Sequence, residues 1–428
     1  MVDTKLYHSI RIDEGKCIGC VTCMKSCPTR AIRVRDKKAH VINEWCIDCG
    51  ECLRVCQYDA VVPKTTATTD LKRFKYTVAL PSPVLYSQFG HHVIPHDILS
   101  ALKEIGFDHV YDEAIICEMT TKAIERYLDD HRSLKPRISV TCPVVVRLIQ
   151  RLFPALCELL IPIEPPRESA AKTLREEISE KHKISKEDIG IIHITPCSAK
   201  MVSINYPETM KKSNLDGAIS IQDVYNPLMR RLQKSEKPTM LHTQSSVSGI
   251  GIGWAIASGE IRGLKYFHSV SVSGVYDTIR ILKDVEAGKL KDIEYLECYI
   301  CPDGCVGGPL TVENRFIAKS NILCLIKIYG GKRTVNGYLV KQLYNQEFFS
   351  FERAVKPKPF PPLDKERSRA LEKLKLRDQF LQVLPGTDCG LCGAPDCKTF
   401  AEDAARDLGS IENCIFFQKK EACKEGRK

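Results

Sequence analysis

The chain lacks long apolar runs. No window of its 428 residues approaches the roughly 18 uninterrupted apolar residues of a membrane span. The opening Met1-Val-Asp-Thr-Lys-Leu-Tyr-His8 has no apolar leader core, so neither membrane insertion nor export is expected. The bias of a disordered or rod-like chain is also missing: 43% hydrophobic, 27% charged and 7% aromatic residues describe a folded globular protein. The length suggests about three domains. A cytoplasmic, reducing setting is expected, in which clustered cysteines bind metals rather than form disulfides.

What is in excess is cysteine, 21 residues, arranged in clusters. The formal net charge of +10 counts every thiol as neutral. If sixteen of them hold four 4Fe-4S clusters as thiolates, each cluster carrying roughly −2, the balance falls to about +2. The surplus of Lys and Arg is then an offset to buried anions, and nucleic acid is not an expected partner.

The cysteines divide the sequence into three blocks. The first, residues 1–65, repeats one pattern: Cys17-x2-Cys20-x2-Cys23-x3-Cys27-Pro28, then Cys46-x2-Cys49-x2-Cys52-x3-Cys56. Between the copies, Ala31-Ile-Arg-Val-Arg and Ala39-His-Val-Ile alternate like hairpin strands around Asp36-Lys-Lys. Residues 75–350 change texture. Strands are expected at Lys75–Leu80, Arg137–Thr141, Ile191–Thr195 and Phe267–Val272, with helices at Val144–Phe153, Glu168–His182 and Tyr276–Ala287. That alternation predicts α/β architecture, α+β overall, with two largely parallel sheets in the central domain. Residues 351–377 read as a proline-rich linker, Lys356-Pro-Lys-Pro-Phe-Pro-Pro362, followed by a charged exposed helix. Residues 378–428 form a small third cysteine block.

The two N-terminal runs have the spacing by which bacterial-type ferredoxins hold two 4Fe-4S cubanes, each fourth cysteine reaching across to the other cluster. Cluster one is assigned to Cys17, Cys20, Cys23 and Cys56, and cluster two to Cys46, Cys49, Cys52 and Cys27. Gln57 stands where the proline after Cys27 would recur, which costs a turn preference and no ligand. A pair of zinc sites is the weaker alternative. Trp45, beside Cys46, is expected to cover a cluster. The C-terminal run Cys389-x2-Cys392-x4-Cys397-x16-Cys414 is a further 4Fe-4S candidate, with Gly390 and Gly393 letting backbone amides approach the sulfurs. Zinc and a final ligand at Cys423 are its alternatives.

In the middle block, Cys142 and Cys197 each follow a predicted strand and precede a helix. Both belong at carboxyl ends of parallel strands, where α/β sheets place ligands. Glu297-Cys-Tyr-Ile-Cys301-Pro-Asp-Gly-Cys305-Val-Gly-Gly-Pro309 adds a Cys-x3-Cys pair in a glycine-rich loop. Spacing alone leaves a four-thiolate site and buried core thiols about equally weighted. Cys117 and Cys298 read as structural thiols, with a secondary proton or redox role as the alternative, Cys157, Cys324 and Cys423 as core or surface thiols, and His193 as a satisfied core histidine.

These loops resemble those of FeFe hydrogenases. Val140-Thr-Cys-Pro143, Thr195-Pro-Cys-Ser-Ala-Lys200 and Glu297 to Gly308 are similar to the three loops that hold the H-cluster, a 4Fe-4S cubane bridged to a diiron unit with CO, cyanide and dithiolate ligands. Pro81-Ser-Pro83, Gly249-Ile-Gly-Ile-Gly253 and Val272-Ser-Gly274 support the match. The resemblance implies cubane ligands Cys142, Cys197, Cys301 and Cys305, with Cys305 bridging to the diiron unit and Lys200 paired to a cyanide. Pro196 is implied as a cofactor contact, and Ser82 and Thr141 as catalytic-site residues. The C-terminal block resembles the small 4Fe-4S domain of Rnf B subunits.

Departures from the family pattern restrict the expected chemistry. The proton-relaying cysteine before the first ligand is Thr141 here, and a threonine hydroxyl is far too weak an acid for comparable donation. Ile124 and Tyr127 stand where relay glutamates are expected, and Thr195 and Tyr299 replace two pocket methionines. The resemblance is therefore to the sensory members: slow, reversible reaction with dihydrogen and protons, and a redox partner such as ferredoxin or a signalling kinase or phosphatase. Hydrogenase maturases would supply the diiron unit. The alternative is a hydrogenase-like iron-sulfur assembly or electron-transfer protein without that unit.

Overall fold

Two left-handed residues, Asp36 at φ 49° and Lys37 at φ 60°, close the hairpin expected between the first cysteine runs. A two-residue turn of that hand matches the right-handed twist of its strands. The computed structural model describes residues 8–234, 247–266 and 268–417, and the chain divides into two compact units. One consists of Met1–Pro63 with Pro359–Lys428, so the first and last cysteine blocks share it; the other is Lys64–Lys358. Cys423 and Phe267 lie outside the described residues.

In the first unit, β1 (Ile10–Ile12) pairs antiparallel with β4 (Val61–Pro63), and β2 (Ile32–Arg35) with β3 (Lys38–Val41). Short helices, Thr22–Lys25 and Glu51–Val55, carry Cys23 and Cys52. The C-terminal part adds the charged helix Arg367–Val383, which buries none of its residues, and the helix Cys397–Ala405. The Asp396 carboxylate caps the second by accepting from Thr399 N–H at 2.7 Å. Leu384, Ala394, Phe400, Ala401 and Cys414 form a small core there.

The second unit contains two parallel sheets. Its strands are β5 (Tyr76–Pro81), β6 (His109–Val110), β7 (Arg137–Ile138), β8 (Ile189–Thr195), β9 (Gly217–Ser220), β10 (Ser269–Ser273) and β11 (Tyr295–Tyr299). They are ordered β6-β5-β8-β9 and β10-β11-β7. Every residue of β8 is buried, as a strand covered on both faces by helices requires. Helices Pro143–Leu152, Pro166–His182 and Val275–Glu286 occupy the expected segments within two residues. The second expected strand is shorter than Arg137–Thr141, ending at Ile138. After Ile138 only Ser139 adds a ladder bond, to Leu296 O, before its hydroxyl turns to Glu260.

Because the strands of each sheet run in one direction, the segments that follow β5 and β8 leave from one edge, as do those after β7 and β11. Ile192, fully buried in β8, packs in the main core with Val84, Ile98 and Ile219. Ile192→Ala is expected to cost about 2–5 kcal/mol through lost burial and a residual cavity. A lowered urea midpoint of the far-ultraviolet CD signal would register it, and an unchanged midpoint would contradict this packing.

Candidate metal centre

Cys142 and Cys197 occupy equivalent places: each is the extended residue immediately before a helix, Pro143–Leu152 and Ser198–Asn205. Pro143 suits the first helical position, where its missing N–H would have had no intrahelical partner. Cys301 lies in the turn after β11, closed by Gly304 N–H donating to Cys301 O at 3.2 Å, and Cys305 opens the one-turn segment Cys305–Gly307. Gly304 has φ +91°, and a Cβ there would stand 2.3 Å from Ala257 N, so only glycine permits this loop. Ser82 follows β5 and donates its N–H to Ile194 O at 3.1 Å, which ties that loop to β8. Thr195 holds the neighbouring loop, its hydroxyl donating to Cys197 O and accepting from Cys197 N–H.

These elements bring Cys142, Cys197, Cys305 and Lys200 into one electrostatic neighbourhood. Burial pushes the Cys305 thiol up to about 12; the Lys200 ammonium opposes this, while Cys142 and Cys197 add to it. Burial and then Cys142 raise Cys197, again against Lys200. Cys301, also buried, shares its loop with Cys305. Thiols in such a place stay protonated by themselves, and a bound cationic core would release their protons. The donor set, four soft thiolates beside a buried ammonium, fits an anionic iron-sulfur cofactor.

Around Lys200 lie further buried groups. His193 is neutral, lowered by burial and by Lys200; its Nδ1 contacts Leu80 O at 2.9 Å, and the 3.8 Å approach to Glu113 is therefore no ion pair. Its Nε2 and Glu113 Oε2 have no hydrogen-bond partner among the described residues, so this core histidine is only half satisfied. Cys117 is raised by burial and by Glu113. Glu118, by contrast, is structural: its carboxylate accepts from Ser248 Oγ, Thr334 N–H and Oγ–H, and Val335 N–H.

The sequence motifs gave no sign of a second carboxylate site. Thr141, whose strand ended early, hydrogen-bonds Glu260. The same carboxylate accepts from Ser139 Oγ at 2.8 Å, Tyr295 at 2.8 Å and Tyr299 at 2.9 Å. Glu297 adjoins it, accepting from Glu260 N–H at 3.4 Å. Burial raises both carboxyls; Glu260 raises Glu297 further, while the four hydroxyl donors oppose the rise at Glu260. Tyr299, expected as a replacement for a pocket methionine, is a donor in this network. Ile124 is buried and Tyr127 stacks on His131, so neither position supplies a carboxylate. Glu297 was legible as part of a cysteine loop, but no motif marks Glu260.

In the first unit, Cys17, Cys20, Cys23 and Cys56 line one hollow of about 370 Å³. Cys27 acts electrostatically on Cys46, Cys49 and Cys52. The exchange of fourth cysteines between the runs is therefore the arrangement in space. Backbone N–H groups of Ala39, Ala31 and Asp48 point at the sulfurs of Cys17, Cys27 and Cys46, as cluster thiolates require. Cys389, Cys392, Cys397 and Cys414 line a hollow of about 300 Å³. Trp45 lies between the guanidiniums of Arg33 and Arg406, at 5.4 and 5.8 Å from its ring.

Glu113 generates a pH prediction. Burial raises its carboxyl from 4.5 to about 7, opposed by Lys200 and Arg167. A carboxyl with a raised folded pKa contributes stability while protonated, fully below about 4.5, and that contribution is lost as pH rises through about 7. Stability of the second unit is thus expected to fall across that window, and Glu113→Gln to flatten the fall; parallel urea-midpoint profiles for the two proteins would refute it.

Residues 75–246 and 228–309 match the family described as the C-terminal domain of the iron only hydrogenase large subunit. Residues 9–57 match the 4Fe-4S dicluster domain, and 384–416 match an Fe-S cluster family. The chain is 22% identical over 366 residues to the periplasmic Fe hydrogenase large subunit of Nitratidesulfovibrio vulgaris, covering 72% of this chain and 87% of that protein. It is 20% identical over 380 residues to the NADP-reducing hydrogenase subunit HndD of Solidesulfovibrio fructosivorans, covering 70% of this chain and 64% of the relative. A 76-residue stretch is 32% identical to a ferredoxin of Pyrobaculum islandicum, 18% of this chain and 71% of that protein. A variant of the FeFe-hydrogenase HydA1 from Chlamydomonas reinhardtii shares the fold, with TM-score 0.53 at 14% identity, over 68% of this chain and 98% of that one. No helix among the described residues is long and apolar enough to cross a membrane. With more than half of its length matched, this iron-sulfur protein belongs to the iron-only hydrogenase large-subunit family.

Proposed function

We propose that the protein reacts reversibly and slowly with dihydrogen at an H-cluster, and that the resulting redox state is read by a partner protein. The observation that carries this is the joint placement of Cys142, Cys197 and Cys305 around the buried Lys200. In this reading Cys142, Cys197, Cys301 and Cys305 would hold the cubane, Cys305 would also serve the diiron unit, and the Lys200 ammonium would stabilise a cyanide ligand. Pro196 and Ser82 line the site from the ends of β8 and β5. When bound, the diiron unit supplies the open iron at which dihydrogen is split or formed.

The chain's own groups then govern the proton. Thr141 stands where an acidic thiol would be needed and gives its hydrogen bond to Glu260. Burial raises the Glu260 carboxyl and so favours its protonated form, against the hydrogen bonds of Tyr295, Ser139, Tyr299 and Thr141, which stabilise the ionised one. Delivery through a threonine hydroxyl is slow, because proton transfer is most efficient from groups whose pKa lies near the working pH. Low turnover suits a sensor better than a bulk catalyst. Three accessory 4Fe-4S clusters, two on the ferredoxin pattern and one C-terminal, carry the electrons to a ferredoxin or to a signalling kinase or phosphatase in the cytoplasm. Maturases are required to insert the diiron unit. An assembly factor lacking that unit is the second reading, disfavoured by the retained Pro196-Cys-Ser-Ala-Lys200 text and by the C-terminal cluster block.

Infrared spectra after assembly with hydrogenase maturases are expected to show CO and cyanide stretches; their absence would remove the diiron unit from the account. Thr141→Cys is expected to raise dihydrogen turnover by on the order of 10-fold or more, and Glu260→Gln to lower it, given what a positioned acid contributes. Equal rates in all three proteins would discard the relay.

A further inference from the structure

The first unit is assembled from both ends of the chain, and its seam joins two of the cysteine hollows. The loop carrying Cys389, Cys392 and Cys397 rests on β2. Val34 N–H donates to Gly393 O at 3.0 Å, and Arg35 donates to Cys392 O at 2.7 Å. Gly393 has φ +78°, and a Cβ there would stand 1.9 Å from Val34 O, so any other residue would hold the two backbones apart. Lys25, two residues after Cys23, donates its ammonium to the carbonyls of Asp388 and Pro395. Val34 has two roles here, because it also lines the hollow of Cys17, Cys20, Cys23 and Cys56. It belongs at once to the wall of that hollow and to the seat of the C-terminal loop.

Buried charge fixes the register of this seam. Arg33, 6% exposed, forks onto Asp403, 1% exposed, through Nε and through Nη2 at 2.9 Å. Arg35 approaches the same carboxylate at 3.6 Å, and Arg30 pairs with Asp396 at 2.8 Å. Asp403 sits on the helix Cys397–Ala405, so the pair orients the element that begins with a cluster cysteine. A buried ion pair is a poor source of net stability because both charges must leave water. Its bidentate geometry is a strong determinant of position. The basic side chains of Lys25, Arg33 and Arg35 also stand at the seam, where two anionic clusters would otherwise repel.

We propose that Arg33, Asp403 and Gly393 are positioning residues of an electron relay. They seat the C-terminal loop on Val34 so that one electron passes between the C-terminal 4Fe-4S cluster and the cluster of Cys17, Cys20, Cys23 and Cys56. This rests on the ligand sets of the functional reading above. In the step one core goes from 1+ to 2+ as the other goes from 2+ to 1+, and no proton or bond changes. The electron is supplied by a low-potential one-electron carrier protein, or by dithionite in the experiment. Tunnelling falls exponentially with separation, so a loop lifted off Val34 slows transfer even with every cluster intact.

The test uses the full chain carrying its 4Fe-4S clusters but no diiron unit, reduced with dithionite and read by EPR. The C-terminal signal is identified as the one lost in Cys389→Ala. In the parent chain it is expected to relax fast through its neighbour's spin. In Asp403→Ala, and separately in Gly393→Ala, it is expected to relax several-fold more slowly with iron and sulfide content unchanged, while Asp403→Glu retains part of the coupling. An isolated C-terminal signal in the parent, coupling unaltered in both variants, or an iron content showing no C-terminal cluster would each overturn the relay. None of these readouts involves dihydrogen. A matured chain without CO and cyanide bands that keeps the coupling would sink the hydrogenase reading and leave the relay standing.

Discussion

Desolvated thiols dominate this structure. Burial is the first cause raising Cys197, Cys305, Cys46, Cys49 and Cys52, and in each case neighbouring cysteines raise them further. Grouped thiolates cannot persist in such places without a cation among them, whereas grouped thiols have little reason to converge at all. The fold resolves this only with metal present. Parallel strands deliver Cys142 and Cys197 to helix N-termini, the Gly304 turn delivers Cys301 and Cys305, and Lys200 supplies a fixed positive charge beside them.

The same desolvation sets the proton chemistry. Burial raises both Glu260 and Glu297, with Glu260 raising Glu297 further, and Tyr295, Ser139, Tyr299 and Thr141 all give hydrogen bonds to Glu260. Burial favours the protonated Glu260 carboxyl, and the donated hydrogen bonds oppose it. Thr141, the residue before Cys142, carries a hydroxyl far less acidic than a thiol.

In the first unit, charge has a different task. Arg33, Arg35 and Lys25 neutralise carbonyls and a carboxylate at a seam between segments some 370 residues apart in the chain. A second reason thereby appears for the glycine at position 393 beyond access to sulfur.

Ligand spacing was legible in the sequence because a cubane constrains its cysteines over a few residues. The three-residue intervals at Cys17, Cys46 and Cys389 and the Cys-x3-Cys loop at Cys301 are local rules, as are the β-branched runs of the parallel strands and the Asp36-Lys37 turn. Glu260 was not legible, because its partners come from β11 and from Ser139 and Thr141 in the segment after β7, and no local pattern records a contact that tertiary packing creates. For the same reason the pairing of Arg33 with Asp403 could not be read from composition, nor could the half-satisfied state of His193, which depends on what lies opposite its ring. Short-range geometry thus settled which residues could hold metal, while long-range packing decided which acids, bases and backbones surround it.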